Sequence, residues 1–115
     1  MKNIVIDDER TFLLENSTHL RTSKDGLAEL AKLFCDYQFR YGENVILWLD
    51  HDLGHNDDVR IVIDFLALVL MQEMILYIHI HSQNPVSETL VPVLQKAGYK
   101  CQKSQLPPML VPKEG

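Results

Sequence analysis

The sequence predicts a single α/β domain built on a mostly parallel sheet of about five strands. Three observations carry that expectation. Short apolar or β-branched runs alternate with stretches of helical periodicity, which implies right-handed crossovers and parallel pairing. The run at residues 45–49, Val-Ile-Leu-Trp-Leu, is apolar throughout, as suits a strand buried on both faces. Three runs also stop abruptly in polar clusters: Asp7-Asp8, Asp50-His51-Asp52 and His81-Ser82-Gln83-Asn84. The carboxyl ends of strands in an open α/β sheet share one edge, where ligands bind at the topological switch point. The three clusters are therefore expected to meet in one crevice.

The elements follow in order. Residues 3–6 form a short β-branched strand that ends in Asp7-Asp8-Glu9-Arg10. Residues 11–16 read as a connection with little pattern, in which Leu13-Leu14 packs as a turn, and residues 18–21 as a second strand. The first helix expected between two such strands is shortened or missing. Thr22 then caps a helix, with Asp25 in the place of the usual capping-box Glu. Leu27, Leu30, Ala31, Phe34 and Tyr37 follow at helical spacing, so this helix runs to about Phe39 and Gly42 closes it. After the central strand, Asp57 or Asp58 caps a second helix from Val59 to about Gln72, with Arg60 and Asp64 spaced to pair on its solvent side. Residues 75–80 are another buried strand. Asn84 at the N-cap and Pro85 at the first position open a third helix, which Pro92 must kink or shorten before Gly98 ends it. Residues 99–103 are the last strand. The domain spans residues 1–105, and residues 106–115 form a loosely held tail.

The 46% hydrophobic and 23% charged content is ordinary for one soluble domain of 115 residues. A net charge of -5 argues against an extended nucleic-acid surface, which needs a basic face. It permits a small phosphorylated ligand held through a metal. Cys35 and Cys101 lack metal or redox spacing and read as reduced packing residues of a cytoplasmic protein. The acidic Asp7-Asp8-Glu9 stretch interrupts any signal-peptide core. The richest apolar stretch, residues 61–71, carries Asp64 and is too short to span a bilayer. Trp48 is expected in the core and His19 on the surface, and His79 is expected to be structural.

At the strand tips, oxygen ligands from Asp7, Asp8 and Asp50 suit a hard divalent cation such as Mg²⁺. His51 and His81 are then candidate acid and base, since imidazole titrates near neutral pH. Alternatively the two histidines and a carboxylate hold a Mn²⁺- or Zn²⁺-like ion. Ser82 and the backbone N–H groups of residues 84–86 suit phosphate oxygens. Asn84 is a helix cap or a ligand contact, Asp52 a ligand contact or a cap for the loop before Gly54. Arg10 completes the ligand-binding set, and His55 and Asn56 lie in the adjacent loop.

Four stretches carry a family resemblance: Ile4-Val5-Ile6-Asp7-Asp8-Glu9-Arg10, Leu20-Arg21-Thr22, Leu49-Asp50-His51-Asp52-Leu53-Gly54, and Ile80-His81-Ser82-Gln83-Asn84-Pro85-Val86. In order and spacing they resemble the cyclic-phosphate-processing receiver domains. The chain departs from that pattern at Thr11-Phe12, where the family often has a proline. The resemblance implies a three-layer, receiver-like (flavodoxin-like) fold. It also implies a metal-dependent hydrolase acting on a cyclic phosphate or nucleotide phosphodiester, with Mg²⁺ or Mn²⁺ as cofactor. The partner would be a small phosphorylated nucleotide or an RNA end carrying a cyclic phosphate. Two rival readings stay open. One is a non-catalytic module that sequesters a phosphorylated nucleotide or docks on a partner protein. The other is a phospho-accepting receiver with Asp50 as acceptor. Ordinary receivers follow the last strand with Lys-Pro, whereas Lys103 is followed here by Ser104, which speaks against phospho-acceptance.

Overall fold

The structure, a computed structural model, describes residues 2–37, 44–54, 56–81 and 85–105. Its strands are β1 (Lys2–Ile6), β2 (Ser17–Leu20), β3 (Val45–Leu49), β4 (Ile75–Ile80) and β5 (Cys101–Lys103), and its helices α1 (Ser23–Tyr37), α2 (Arg60–Val69) and α3 (Leu90–Lys96). The sheet is parallel throughout, in the order β2-β1-β3-β4-β5. The chain steps one way from β1 to β2 and then the other way through β3, β4 and β5. The switch point therefore lies between β1 and β3. This is the α/β architecture the alternating pattern predicts, and no helix separates β1 from β2.

Crossover handedness explains how the layers divide. Right-handed connections that step in one direction fall on one face, and the single step in the other direction falls on the opposite face. Accordingly Ile4, Ile6, Leu47, Leu49, Ile78 and Ile80 alternate onto one face. They pack in a single cluster with Leu30 of α1, Val62, Ile63 and Leu66 of α2, and Leu90 and Leu94 of α3. Gly26 lets α1 approach closely, because a Cβ there would overlap Ile6 Cδ1. The other face carries Asn3, Val5, Trp48, Tyr77 and His79, with the β1–β2 connection beside it. Trp48, expected in the core, is half-buried on this face. It donates to Asn3 Oδ1 at 3.1 Å and stacks on His79 with centroids 4.1 Å apart. His79 Nδ1 lies 2.7 Å from Ser104 Oγ, a structural engagement.

Local chemistry sets the helix ends. Thr22 Oγ1 accepts from Asp25 N at 3.0 Å, and Asp58 Oδ1 accepts from Arg60 N at 2.8 Å. Asp57 instead reaches the start of α1, where it accepts from both the N–H and the hydroxyl of Ser23. The second helix stops at Val69, short of Gln72, because Leu70 turns left-handed at φ 56°. Arg60 and Asp64 form no salt bridge among the described residues. The third helix is split into a 3-10 turn over Pro85–Thr89 and α3. Pro92 falls in the first turn of α3, where backbone N–H groups have no intrahelical acceptor to lose. Gly98, at φ 96°, closes it. Cys101 is buried in the core with its thiol pushed up to about 12 by burial. Cys35 is exposed rather than packed, and both thiols are free. Among the described residues no helix is long and apolar enough to cross a membrane. The expected closing Gly42, the Asn84 cap and the 106–115 tail lie outside the described residues.

Candidate functional site

The three tips converge because each ladder runs one residue past its strand. Asp7 N donates to Leu20 O at 3.0 Å, Asp50 N to Ile6 O at 3.0 Å, and His81 N to Leu49 O at 2.9 Å. Parity then turns the side chains the same way. Ile6, Leu49 and Ile80 are successive register partners that face the helices, so the next residue on each strand points to the other side. Asp7, Asp50 and His81 are those next residues, gathered around the switch point. All three are buried.

One carboxylate oxygen each from Asp7, Asp8 and Asp50 lies within 4.8 Å of the others. Asp7 is the best held. Its Oδ1 accepts from Glu9 N at 3.0 Å and Arg10 N at 2.9 Å. Its Oδ2 accepts from His81 Nε2 at 3.0 Å and lies 3.6 Å from Arg10 Nη1. Burial alone would raise the Asp7 pKa. The His81 bond, the two N–H groups and the Arg10 charge together outweigh it and hold Asp7 below the ordinary carboxylate value. Asp50 goes the other way. Burial, and then the charge of Asp7, push it up to about 6 against His81 and Arg10, with the smallest push from Asp8. Of the clustered carboxylates Asp7 takes the hydrogen bonds, and Asp50, less well compensated, holds its proton towards neutrality.

His51 is buried, with Nδ1 donating to Asp52 Oδ1 at 3.1 Å. Asp52 itself is exposed and pairs with Asp58 across an isolated antiparallel bridge, outside the carboxylate cluster. With Nε2 on Asp7, His81 Nδ1 has no hydrogen-bond partner among the described residues. Arg10 is half-buried beside Asp7. Ser82, Asn84 and His55 lie outside the described residues, so the expected phosphate contacts there have no geometry to set beside the cluster. Lys103 is engaged at 3.6 Å by the carboxylate of Glu88.

Three further residues belong to the site. Gly54, at φ 72°, passes so close that a Cβ would lie 3.0 Å from Asp8 Oδ2. Arg21 clamps the Asp7 turn: Nη1 donates to Asp7 O at 3.1 Å and Arg10 O at 2.6 Å, and Nη2 to Thr11 Oγ1 at 2.6 Å. His19, expected on the surface, is half-buried and accepts at Nε2 from Phe12 N at 2.9 Å. Motif position could have singled out Gly54 and Arg21, since both fall inside the stretches that carry the resemblance. No local signal marks His19.

A family model described as the cyclic-phosphate processing receiver domain matches residues 2–93. That span contains every described site residue. No curated protein and no solved structure matches the chain.

Proposed function

We propose a metal-dependent phosphodiester hydrolysis for this chain, which belongs to the family of cyclic-phosphate processing receiver domains. One observation carries the reading: three carboxylates from two strand ends meet within 4.8 Å at the switch point, with a buried imidazole bonded to one of them. The donor set fits a hard cation. It offers oxygen ligands only, and burial followed by the Asp7 charge raises Asp50 to about 6, so a divalent ion would take the place of that proton. Asp7, Asp8 and Asp50 would hold Mg²⁺ or Mn²⁺. When bound, the ion would neutralise phosphate charge and polarise its P–O bonds.

The chain's own groups supply the proton chemistry. Opening a cyclic phosphate adds water to phosphorus and breaks one ring P–O bond. A base takes one proton from the water, and an acid returns one to the departing oxygen. With its Nε2 bonded to Asp7, His81 has a second ring nitrogen, Nδ1, without a partner among the described residues, and suits the base. His51 suits the acid, and the Arg10 guanidinium suits a phosphate oxygen. The substrate class is a small phosphorylated nucleotide or an RNA end bearing a cyclic phosphate, met in the cytoplasm. Incubation with 2′,3′-cyclic and 3′,5′-cyclic nucleotides in Mg²⁺ or Mn²⁺, with Asp50→Asn as control, tests the reading. Turnover by the native chain that is lost in the variant supports it, and folded protein that turns over none of them refutes it.

A non-catalytic binding module is the second reading. It is favoured by the near-complete burial of Asp7 and His81 beside Phe12, and it predicts ligand retention without product. Phospho-acceptance at Asp50 has less support, because the cation that ordinary receivers place near the phosphoryl group is here engaged with Glu88.

A further inference from the structure

We propose that His19 is a positioning residue: its neutral imidazole holds Phe12 against His81, and protonation of His19 releases that cover. The Phe12 N–H donates to His19 Nε2 at 2.9 Å, so Nε2 must carry a lone pair and the ring proton sits on Nδ1. The Phe12 ring meets His81 edge-to-face, with centroids 4.9 Å apart and planes at 81°, and packs against His19 at 6.2 Å. Phe12 is only 2% exposed and His81 likewise 2%. Among the described residues, the ring thus lies edge-on over the imidazole that bonds Asp7.

The cover is built to move from its latch. It lies on the β1–β2 connection, which has no helix of its own. Arg21 clamps the stretch just before it, at Asp7, Arg10 and Thr11. Asn3 N holds its far end through Asn16 O at 2.9 Å. Between these anchors Leu13 is 55% exposed, and an open surface depression lined by Thr11, Leu13, Leu14 and Glu15 runs beside Phe12 and His19.

Protonation would place a second donor at Nε2, directly opposite the Phe12 N–H, and the bond would become a repulsion. Among the described residues, the charged and titratable groups around His19 are Arg21 just past its own strand, Asp7 at the end of β1, Glu15 on the wall of the shared depression, and His81 beyond the Phe12 ring. Burial and then Arg21 hold its pKa below the ordinary histidine value, against a weaker pull from Asp7. The neutral, latching form therefore dominates at neutral pH. The latch is a property of the chain alone. Only its bearing on His81 as an acid–base group rests on the hydrolase reading.

Amide hydrogen exchange of Phe12 in the metal-free full chain, followed by NMR between about pH 5 and 8, tests the latch. After correction for the intrinsic rate, protection should fall on the order of tenfold as His19 protonates. The His81 ring protons should lose their aromatic shift from Phe12 with the same midpoint. His19→Ala should lack the protection at every pH. His19→Gln, whose amide oxygen can accept the same bond, should keep protection without the pH step. Phe12 protection that stays flat while His19 titrates in the native chain overturns the proposal, as does undiminished protection in His19→Ala. Failure to hydrolyse cyclic phosphates leaves the latch standing, and a flat exchange profile leaves the hydrolase reading standing.

Discussion

Asp7 Oδ2 and His81 Nε2 lie 3.0 Å apart across 74 residues of sequence, with neither side chain exposed to solvent. The pair ties the end of β1 to the end of β4 over the intervening β3. A buried acceptor that loses its charge leaves its partners less well satisfied, at about 1–3 kcal/mol. Asp7→Asn should therefore lower stability to urea by about that amount at pH 7. The sign with pH follows from the depressed Asp7 pKa. Its contribution is present above the ordinary carboxylate value and is lost as pH falls through the folded value. The gap between variant and native chain should narrow in acid, as paired urea titrations would register.

Asp50 should show the opposite slope. Its pKa is raised from 3.8 to about 6, so the folded state binds more protons than the unfolded state between those values. Metal-free stability should then decline as pH rises through that window, by about 1–3 kcal/mol. Mg²⁺ or Mn²⁺ should restore it above pH 6. In Asp50→Asn both the slope and the metal response should vanish. Melting temperatures recorded across pH, with and without metal, check all three statements.

Gly54→Ala tests whether the loop after Asp52 shapes the carboxylate cluster. The left-handed φ costs a non-glycine residue about 1–2 kcal/mol, and the new methyl group presses on Asp8 Oδ2. Calorimetric Mn²⁺ titration should show affinity weakened several-fold, although Gly54 offers no ligand atom. Unchanged affinity would mean that Asp8 adjusts freely.

Arg21→Lys should loosen the Asp7 turn without unfolding the domain. The guanidinium fork serves three acceptors at once, and an ammonium cannot match that geometry. Because the contacts are largely exposed, the stability change should stay below about 1 kcal/mol. Amide exchange within residues 8–12 should nonetheless quicken, while that of the β3 and β4 core should not.

Much of this site was legible in the sequence because strand ends announce themselves. Val45–Leu49 is apolar to its last residue and then acidic, and a polar break likewise follows Ile6, into Asp7-Asp8, and Ile80, into His81-Ser82. Alternation and parallel pairing do the rest, bringing Asp7, Asp50 and His81 to one edge on one side. What stayed hidden depends on contacts rather than pattern. His19 looks like any polar residue in an edge strand until the connection folds back and presents the Phe12 N–H to it. Trp48 reads as core by hydrophobicity, but handedness sends all three helices to the other face. Asp57 and Asp58 read alike as caps for the second helix, and only tertiary geometry sends Asp57 to Ser23.

Turnover of a 2′,3′-cyclic nucleotide, followed by product chromatography with Mn²⁺ present, tests the central claim most directly. The native chain should open the ring in a metal-dependent manner, and Asp50→Asn should lose activity on the order of a hundredfold or more. Native protein that is folded, binds Mn²⁺ and nucleotide, and yet releases no product would contradict hydrolysis and leave a binding module in its place.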